Sequence, residues 1–503
     1  MEWPRRQYRA PHGVTCETRI GGIQMQSMIL RSLRRHALAY GLVSLAMALL
    51  PQAAQALPTF ARQTGQNCVA CHTGGQFPEL TPYGRMFKMT GYTIGERTMP
   101  LSVMGVASYA TVANTSKSDT ADSGLSTSNS GSDFYKNGEP ILATGSLFAA
   151  GKITDNIGAF VQITHDRYAS ANSDGSSSGH TVADNMDIRF SDRLIDEKRD
   201  LIYGVSLNNH PSMADPWNTA PTWMQYVPVP SPGSNQFVDG YAPYPAYGPS
   251  GNVVGLTAYA YLDRSYYGEV DFYGTADGAF RMFREGVDDS QITRLQGYNP
   301  YWRFAYTRDW GAHNLMLGTS GMLAKIYDGQ AGSDPSDSNA YNQVRNTGLD
   351  AQYQYILDPH TFTAQLAYMQ QVTNYSANTM AGDPSLQNSS LSPYSASDTV
   401  NTTRLKLAYT YLAKYGGSAS AFSADGTSNV LNQDPTRVTG NVAGKPGTDG
   451  YTLEAFYLPL QNLRLGAQYT AYSKYNGAST NYDGLGRDAS DNNTLFLYAW
   501  FAF

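Results

Sequence analysis

The sequence is poor in charged residues and cysteines, and it has no long apolar run beyond its N-terminal region. Charged residues make up 15% of the 503 positions, whereas ordinary soluble proteins carry roughly 25%. Three cysteines are too few for a scaffold held together by disulfides. A mean hydropathy of −0.39 excludes a bundle of membrane-spanning helices, because each such helix needs about 20 predominantly apolar residues. The net charge of −6 provides no basic footprint for nucleic acid, so no nucleic-acid partner is expected.

The residues that are plentiful favour a β-rich chain. Glycine occurs 48 times and tyrosine 37 times. Because apolar residues are common but do not form long runs, they must be spread through the chain by alternation with polar residues, as in half-buried strands. The composition therefore predicts a large all-β protein.

The N-terminal region has the pattern of a secretory signal peptide. An apolar run over residues 37–50 is followed by the small-residue cleavage site Ala54-Gln55-Ala56. A membrane anchor is the alternative, but the run is too short to span a bilayer easily. We predict a signal peptide within residues 1–56, of which residues 1–24 have no part in the signal and indicate an overlong gene start. The basic residues before the apolar run are Arg31, Arg34, Arg35 and His36.

Two of the three cysteines form a single motif, Cys68-Val69-Ala70-Cys71-His72. C-x-x-C-H is the attachment sequence of a c-type haem: two thiols form thioethers with the vinyl groups, and the adjacent imidazole binds the iron. A disulfide or a zinc site is the alternative, but zinc needs four ligands. We predict one covalent haem c, attached at Cys68 and Cys71, with His72 as the proximal iron ligand.

The second axial ligand of the iron is not evident from the motif. No histidine occurs between His72 and His165, but several methionines follow the motif. A methionine ligand would raise the reduction potential, although packing is the commoner role of any single methionine. Met86 or Met89 is the predicted distal ligand, since both follow His72 closely enough to fold back over the ring. The other methionines within reach are Met99 and Met104.

Residues 57–100 form a segment that is too short for a core of its own. Chains of about 40 residues usually need a metal, disulfides or a partner surface to fold. The haem supplies part of that need, and we expect the rest of the chain to cover it. Arg62, Arg85 and Lys88 flank the motif and could pair with haem propionates; solvated positive residues are the alternative interpretation.

Apolar and polar residues alternate from residue 101 to the C-terminus, in stretches of about ten residues, which is the length of a tilted transmembrane strand. Leu405 and Leu407, for example, alternate with Arg404 and Lys406. A soluble β-sandwich also alternates, but many tyrosines near strand ends fit the girdle at a membrane interface. We predict about sixteen strands over residues 101–503, beginning near Leu101, Ile141, Asn156, Ala183, Arg199, Asn252, Arg264, Asn299, Ala312, Val344, Thr361, Thr402, Gly416, Gly450, Asn462 and Asn492.

The gaps between these stretches alternate in length. Asp155-Asn156 and Asp358-Pro359 lie in tight turns, whereas residues 113–140 and 209–250 are long and rich in small and polar residues. Outer-membrane barrels have short periplasmic turns and long extracellular loops. The fold class predicted is a closed antiparallel porin-like barrel, with both ends at the periplasmic rim. We expect residues 57–100 to plug or cap the periplasmic side of its lumen.

The N-terminal segment resembles that of the fused outer-membrane cytochrome–porin family, which is best known from ferrous-iron-oxidising bacteria. For the rest of the chain the resemblance to that family is one of barrel architecture only, without matching motifs. A last strand that ends in Phe503 also resembles the assembly signal of bacterial outer-membrane proteins. The residues that carry the family resemblance are Leu57-Pro58-Thr59-Phe60-Ala61-Arg62-Gln63-Thr64-Gly65, Cys68 to His72, Phe77-Pro78-Glu79-Leu80, Tyr83-Gly84-Arg85, Phe87-Lys88 and Gly91-Tyr92.

The resemblance implies an outer-membrane monohaem cytochrome c that moves electrons between the cell exterior and the periplasm. The expected donor is extracellular ferrous iron, the expected acceptor is a periplasmic c-type cytochrome, and ferrous iron oxidation is the possible enzymatic activity. The expected location is the bacterial outer membrane, with the haem in the lumen or on the periplasmic side. A diffusion porin with a haem-bearing plug is the alternative, as is a conduit for a different extracellular donor or acceptor.

No catalytic residue is predicted. The hydrolase motif H-E-x-x-H is absent from the sequence, and G-x-S-x-G occurs only within the Ser-rich low-complexity stretch of residues 170–180. One-electron transfer leaves the chemistry to the cofactor. His180 and His210 lie in predicted outer loops. A metal contact is one interpretation of these two residues, and surface histidines without a role are the favoured one.

Overall fold

A computed structural model describes residues 58–75, 79–114, 140–166, 180–219, 252–284, 294–327, 336–381, 395–429, 444–482, 484 and 486–503. The predicted signal peptide lies outside the described residues. Within those ranges, no helix has the length and apolar character needed to cross a membrane.

The described strands form a closed barrel of sixteen antiparallel strands, as predicted. Each strand begins within five residues of its expected start. The strands are β1 Leu101–Val112, β2 Pro140–Lys152, β3 Ile157–Asp166, β4 His180–Ile195, β5 Asp200–Asn208, β6 Val253–Leu262, β7 Tyr266–Thr275, β8 Asn299–Trp310, β9 His313–Tyr327, β10 Tyr341–Leu357, β11 His360–Asn374, β12 Ser397–Tyr411, β13 Tyr415–Gly426, β14 Thr448–Leu460, β15 Leu463–Lys474 and β16 Thr494–Ala502.

The largest difference from the expected starts is in β12, which begins at Ser397 rather than near Thr402. Its first residues pair in register with β11, from Ser397 opposite Asn374 onward. Polar residues occupy both faces of this part of the strand, so the alternation of hydropathy disappears although the hydrogen-bonded ladder continues. A pattern based on apolar residues therefore detects the part of a strand that faces lipid and misses its polar extension.

The barrel closes through its first and last strands. β1 pairs with β16 in continuous antiparallel register, with Val106 opposite Trp500. The terminal residue takes part, because the amide of Phe503 donates to the carbonyl of Val103 at 2.8 Å and the carbonyl of Phe503 accepts from the amide of Val103 at 2.7 Å. Closure leaves no free sheet edge, which a spanning β structure requires.

The two faces of the wall differ in polarity. Large apolar side chains point outward, and Leu349 and Leu256 keep 60% and 58% of their surfaces exposed. The inward face carries buried polar side chains such as Arg189 and Arg303. An apolar exterior around a polar interior is the arrangement of outer-membrane barrels, and the outer surface is suited to contact with lipid.

The connections distinguish the two rims of the barrel. Every second connection is a tight turn of two to four residues, whereas the others are long. We call these ends the short-turn rim and the long-loop rim. Exposed aromatic rings lie beside the tight turns, including the stacked pair Tyr415 and Tyr457 at 5.0 Å. These rings fit the interfacial girdle expected from the tyrosine content.

Helices are short in the described residues. Three precede the barrel: α1 Pro58–Thr64, α2 Cys68–Cys71 and α3 Pro82–Met89. Two more, α4 Pro211–Ala214 and α5 Ala377–Ala381, lie in long connections. No substantial helical domain follows residue 110 in the described ranges, in agreement with the predicted fold.

Candidate haem site and its contacts with the barrel

The two motif cysteines lie on one face of a single helical turn. Cys68 begins α2 and Cys71 ends it, and residues three apart on a helix are neighbours on its surface. Cys68 is buried, Cys71 is half-buried, and neither forms a disulfide. His72 follows directly with extended backbone, φ −121° and ψ 131°. The chain thus presents two thiols side by side with an imidazole next to them.

The environment of Cys71 disfavours the alternative roles of a C-x-x-C pair. Burial raises the pKa of the Cys71 thiol to about 11, so the thiol stays protonated at neutral pH. Redox-active cysteines need the thiolate, which a low pKa supplies. The two thiols and the adjacent imidazole fit the donor set of a covalent c-type haem, for which Cys68 and Cys71 would hold the porphyrin and His72 the iron.

The motif is held against α3 by a close helix approach. A Cβ on Gly84 would lie 2.2 Å from the carbonyl oxygen of Cys71, so only glycine fits there. Thr81 caps α3 by accepting a hydrogen bond from the Gly84 amide at 3.1 Å, and its own amide donates to the Cys71 carbonyl at 2.9 Å. Any larger residue at position 84 would push α3 away from the motif.

The motif also contacts the short-turn rim. The Cys68 sulfur lies 3.6 Å from the carbonyl oxygen of Gln461, in the turn between β14 and β15. A Cβ on Gly75 would come within 2.7 Å of Leu458 near the end of β14. Residues 68–75 therefore pack closely against this part of the rim.

The first helix is fastened to β1 and β2. The Thr59 hydroxyl donates to the carbonyl of Ala150 at 2.7 Å. The Gln63 amide oxygen accepts from the amide of Lys152 at 2.9 Å, and the Arg62 guanidinium donates to the carbonyl of Leu101 at 2.6 Å. These contacts fix α1 at the point where the segment enters the barrel wall.

The third helix reaches inward-facing side chains on the opposite wall. The buried Arg85 guanidinium donates to the side-chain oxygens of Gln352, Gln354 and Asn314 at 2.8, 3.0 and 2.6 Å. Lys406 of β12 forms an ion pair of 2.6 Å with Glu79 just before α3. The segment is thus bound to strands on several sides of the lumen.

The far end of α3 is equally fixed. The carbonyl of Met89 accepts hydrogen bonds from the Tyr259 hydroxyl at 2.6 Å and the Ser191 hydroxyl at 2.9 Å. Tyr92, just beyond the helix, donates to Asp187 at 2.6 Å. Arg85 and Lys88 are both buried, so interpreting them as solvated positive residues is wrong. Their described contacts bind the segment to its surroundings.

Part of the long connection after β5 folds back into the barrel, which the sequence does not reveal. We call residues 209–219 the strap. Its Asp215 carboxylate lies 3.0 Å from Nε of Arg303 on β8, and Lys88 donates to the Asp215 carbonyl at 2.8 Å. The Trp217 ring packs edge-on against Tyr267 at 5.1 Å. The strap reaches from the long-loop rim and meets α3 inside the barrel.

His210 corrects the expectation of surface histidines without a role. It is buried at the start of the strap, where its Nδ1 accepts from the amide of Met213 at 3.1 Å and caps α4. Its Nε2 lies 3.0 Å from the side-chain oxygen of Asn185. Burial, with the charge of Lys88 adding to it, lowers the pKa of His210 to about 3, so it is neutral and structural at physiological pH. The backbone of His180 begins β4.

Met89 and Met86 lie at the end of α3 that faces the strap. Met89 is buried among aromatic residues that include Trp217 and Tyr267, and Met86 packs against the same cluster. Counted along the helix, Met89 lies roughly 10 Å from the start of α3, beside which the motif packs. The assignment of either methionine as the distal ligand stays a prediction.

Burial of Lys88 links the docking of α3 to pH. Desolvation, with repulsion from Arg189 adding to it, lowers the pKa of Lys88 from 10.5 to about 8. The unfolded chain therefore binds more protons than the folded one between these values, so stability rises with pH there. From pH 8 to 9.5 we expect Lys88 to contribute a gain of about 1.5 kcal/mol.

The check on this prediction is the midpoint of urea unfolding at both pH values, for the natural chain and for Lys88→Met. The variant keeps the length of the side chain but has no proton to lose, so its midpoint should rise less. Equal pH slopes for the two proteins would contradict the role assigned to Lys88. The range stops at pH 9.5 because burial and the nearby Asp187 raise the pKa of Tyr92 well above 10, which brings an opposite dependence at higher pH.

Comparison with known proteins finds no family model that matches this chain and no curated protein similar to it. Among solved structures, it is similar to OmpT of Vibrio cholerae at 9% identity over 80% of this chain and 96% of that chain, with a TM-score of 0.37. It is similar to the outer membrane channel DcaP of Acinetobacter baumannii at 12% identity over 80% of this chain and 96% of that chain, with a TM-score of 0.42. It is also similar to OmpF of Salmonella typhi, in complex with daunomycin, at 12% identity over 80% of this chain and 97% of that chain, with a TM-score of 0.40. The barrel assignment rests on the chain's own strand order and register.

Proposed function

We propose that this chain is an outer-membrane monohaem cytochrome c joined to a porin-like barrel, and that it conducts electrons across the outer membrane. The donor is extracellular ferrous iron, and the acceptor is a periplasmic c-type cytochrome. Each ferrous ion loses one electron and becomes ferric, and each acceptor haem gains one. A bound haem c supplies the one-electron carrier.

The observation that supports this proposal is that the segment carrying C-x-x-C-H contacts strands on several sides of the barrel. Thr59 and Arg85 bind opposite parts of the wall, and Glu79 pairs with a third strand through Lys406. A separate periplasmic cytochrome domain would not need such anchors. The apolar band of these barrels is about 25 Å tall, so a redox group held within the lumen divides the crossing into shorter steps.

The surface chemistry of the barrel supports its location. Outward-facing leucines such as Leu317 and Leu453 remain about half exposed around the wall. Contiguous apolar surface of this extent causes association in water. A bacterial outer membrane covers that surface and places the short-turn rim, with its motif, on the periplasmic side.

The test is electron transfer across a vesicle membrane. The full-length haem-loaded protein is inserted into lipid vesicles that contain trapped ferricytochrome c, and ferrous iron is added outside. We expect trapped cytochrome to be reduced, whereas vesicles without the protein stay oxidised. The haem of the protein itself should be reduced first in stopped-flow mixing with ferrous iron.

A parallel set of vesicles separates the conduit from the diffusion porin. These vesicles contain a membrane-impermeant ferrous chelator that forms a coloured complex. A conduit reduces cytochrome without colouring the chelator, since iron stays outside. Colour that develops as fast as cytochrome reduction would instead show that iron enters through an open pore, and the conduit proposal would be wrong.

A further inference from the structure

Two buried carboxylates on the lumen face of β7 each keep one oxygen without a hydrogen-bond donor. Glu269 and Asp271 alternate inward on the strand and are 1% and 0% exposed. Tyr267 donates to Oε2 of Glu269, and Thr257 donates to Oδ1 of Asp271. The other two oxygens, Oε1 and Oδ2, have no partner among the described residues. Two like charges thus lie two residues apart in a buried site.

These two carboxylates differ from five other buried acids, each of which forms an ion pair with a cation. No ion pair within the described ranges involves Glu269 or Asp271. Arg303 lies opposite Glu269 in the strand ladder, but its guanidinium pairs with Asp215 and Asp350. A buried charge without a partner is strongly unfavourable, so a cation or a proton must compensate this pair. The paired acids are Asp187 with Arg189, Asp215 and Asp350 with Arg303, Glu79 with Lys406, and Glu454 with Arg464.

A third oxygen lies beside them. Tyr301 on β8 is the direct cross-strand partner of Asp271, and such pairs have Cβ atoms about 5 Å apart. Its side chain is 0% exposed, and its hydroxyl has no hydrogen-bond partner in the described part of the chain. Carboxylate oxygens are ligands that hard divalent cations prefer, and the neutral phenol oxygen adds a weaker donor beside them.

The position of the two carboxylates along β7 places them next to the residues that contact α3. β7 runs from Tyr266 at the short-turn rim to Thr275 toward the long-loop rim, so the two acids lie midway through the wall. Tyr267 is the inward-facing residue two positions before Glu269, on the side of the short-turn rim. It packs against Trp217 of the strap and against Tyr259. The acids therefore lie on the long-loop side of the cluster that receives α3.

We propose that Glu269, Asp271 and Tyr301 form a binding site for one divalent cation in the lumen, which holds ferrous iron between the long-loop rim and α3. This rests on the proposed function, because that function supplies the cation. The described residues contain no group of three or more His, Cys, Asp or Glu side chains suited to a metal. Two carboxylates give the site modest ligand charge, which favours exchange of the cation rather than permanent retention.

The probe is Mn²⁺, a hard divalent cation that cannot reduce the haem. Titration of the full-length protein, followed by loss of the electron paramagnetic resonance signal of free Mn²⁺, should show about one saturable ion per chain, displaced by ferrous iron under anaerobic conditions. Glu269→Gln combined with Asp271→Asn should weaken binding at least about tenfold. Tyr301→Phe should weaken it about threefold. Asp155→Asn, in an exposed turn, removes a carboxylate elsewhere and should leave binding unchanged.

The outcomes separate the site from the function. Unchanged Mn²⁺ binding in the double variant would overturn the proposal. So would the absence of binding in the natural chain at pH 7, since a shared proton would then compensate the pair. A protein that binds Mn²⁺ but fails the vesicle assay would refute the electron conduit alone. The amide variants keep side-chain shape and remove repulsion, and the heat-dependent gel mobility of the folded barrel checks that they fold.

Discussion

Replacing both Cys68 and Cys71 by alanine should abolish covalent haem attachment. In the proposed haem site the two thiols are the thioether donors, and they are the only cysteines among the described residues. Acid–acetone extraction should then remove all haem from the double variant and none from the natural protein. Each single variant should keep one thioether, which a shifted reduced pyridine–haem spectrum reports.

Two further measurements make this prediction decisive. The double variant should still form the closed barrel, because the anchors of the segment, such as Thr59 and Arg85, do not involve the thiols. Normal folding without covalent haem would thus separate attachment from assembly. Haem that survives extraction in the double variant would refute the interpretation of the motif.

Replacing Arg303 by methionine should cost about 3–5 kcal/mol of stability, because it leaves two buried acids without their cation. The guanidinium joins Asp350 at 2.6 Å and Asp215 of the strap at 3.0 Å, and it also donates to Thr219 at 3.0 Å. The midpoint of urea unfolding in detergent should therefore fall sharply. Arg308→Met, on the exposed face of the same strand, is the matched control and should change little.

The difference between the urea-unfolding midpoints of the two arginine variants tests whether the buried ion pairs hold the strap in place. If Arg303→Met and Arg308→Met shift the midpoint equally, the buried ion pairs do not hold the strap in the lumen. If only Arg303→Met shifts it, loss of the strap should also change the fluorescence of Trp217, which the Arg303 guanidinium faces at 5.4 Å.

The sequence predicts the wall of the barrel well because a strand between lipid and lumen must alternate. Sixteen strands and the positions of the tight turns follow from that constraint. The C-x-x-C-H spacing likewise predicts the haem-attachment residues, since thioether chemistry demands that order, and that assignment stays a prediction. Both signals are local, so they are visible without knowledge of the rest of the structure.

The contents of the lumen are not visible in this way. The strap is polar and proline-containing, so residues 209–219 resemble an ordinary surface loop, and the buried position of His210 depends on Asn185 across the barrel. Glu269 and Asp271 occupy polar positions of an alternating strand, where any hydrophilic residue satisfies the pattern. Their significance depends on whether the charges of their neighbours are already paired with other residues, and that is a property of the folded structure.

The closure of β1 on β16 has a consequence for the order of biogenesis. The helical segment continues directly into β1, and the last residue, Phe503, is hydrogen-bonded to Val103 at the same seam. Once the seam is closed and the segment is docked, Cys68 is only 2% exposed. For the proposed haem c to be attached, a cytochrome maturation enzyme would therefore have to reach the motif while the chain is still unfolded in the periplasm. Under the proposed function, cofactor attachment would come before membrane insertion, and the insertion machinery would have to accept a client that already carries its prosthetic group.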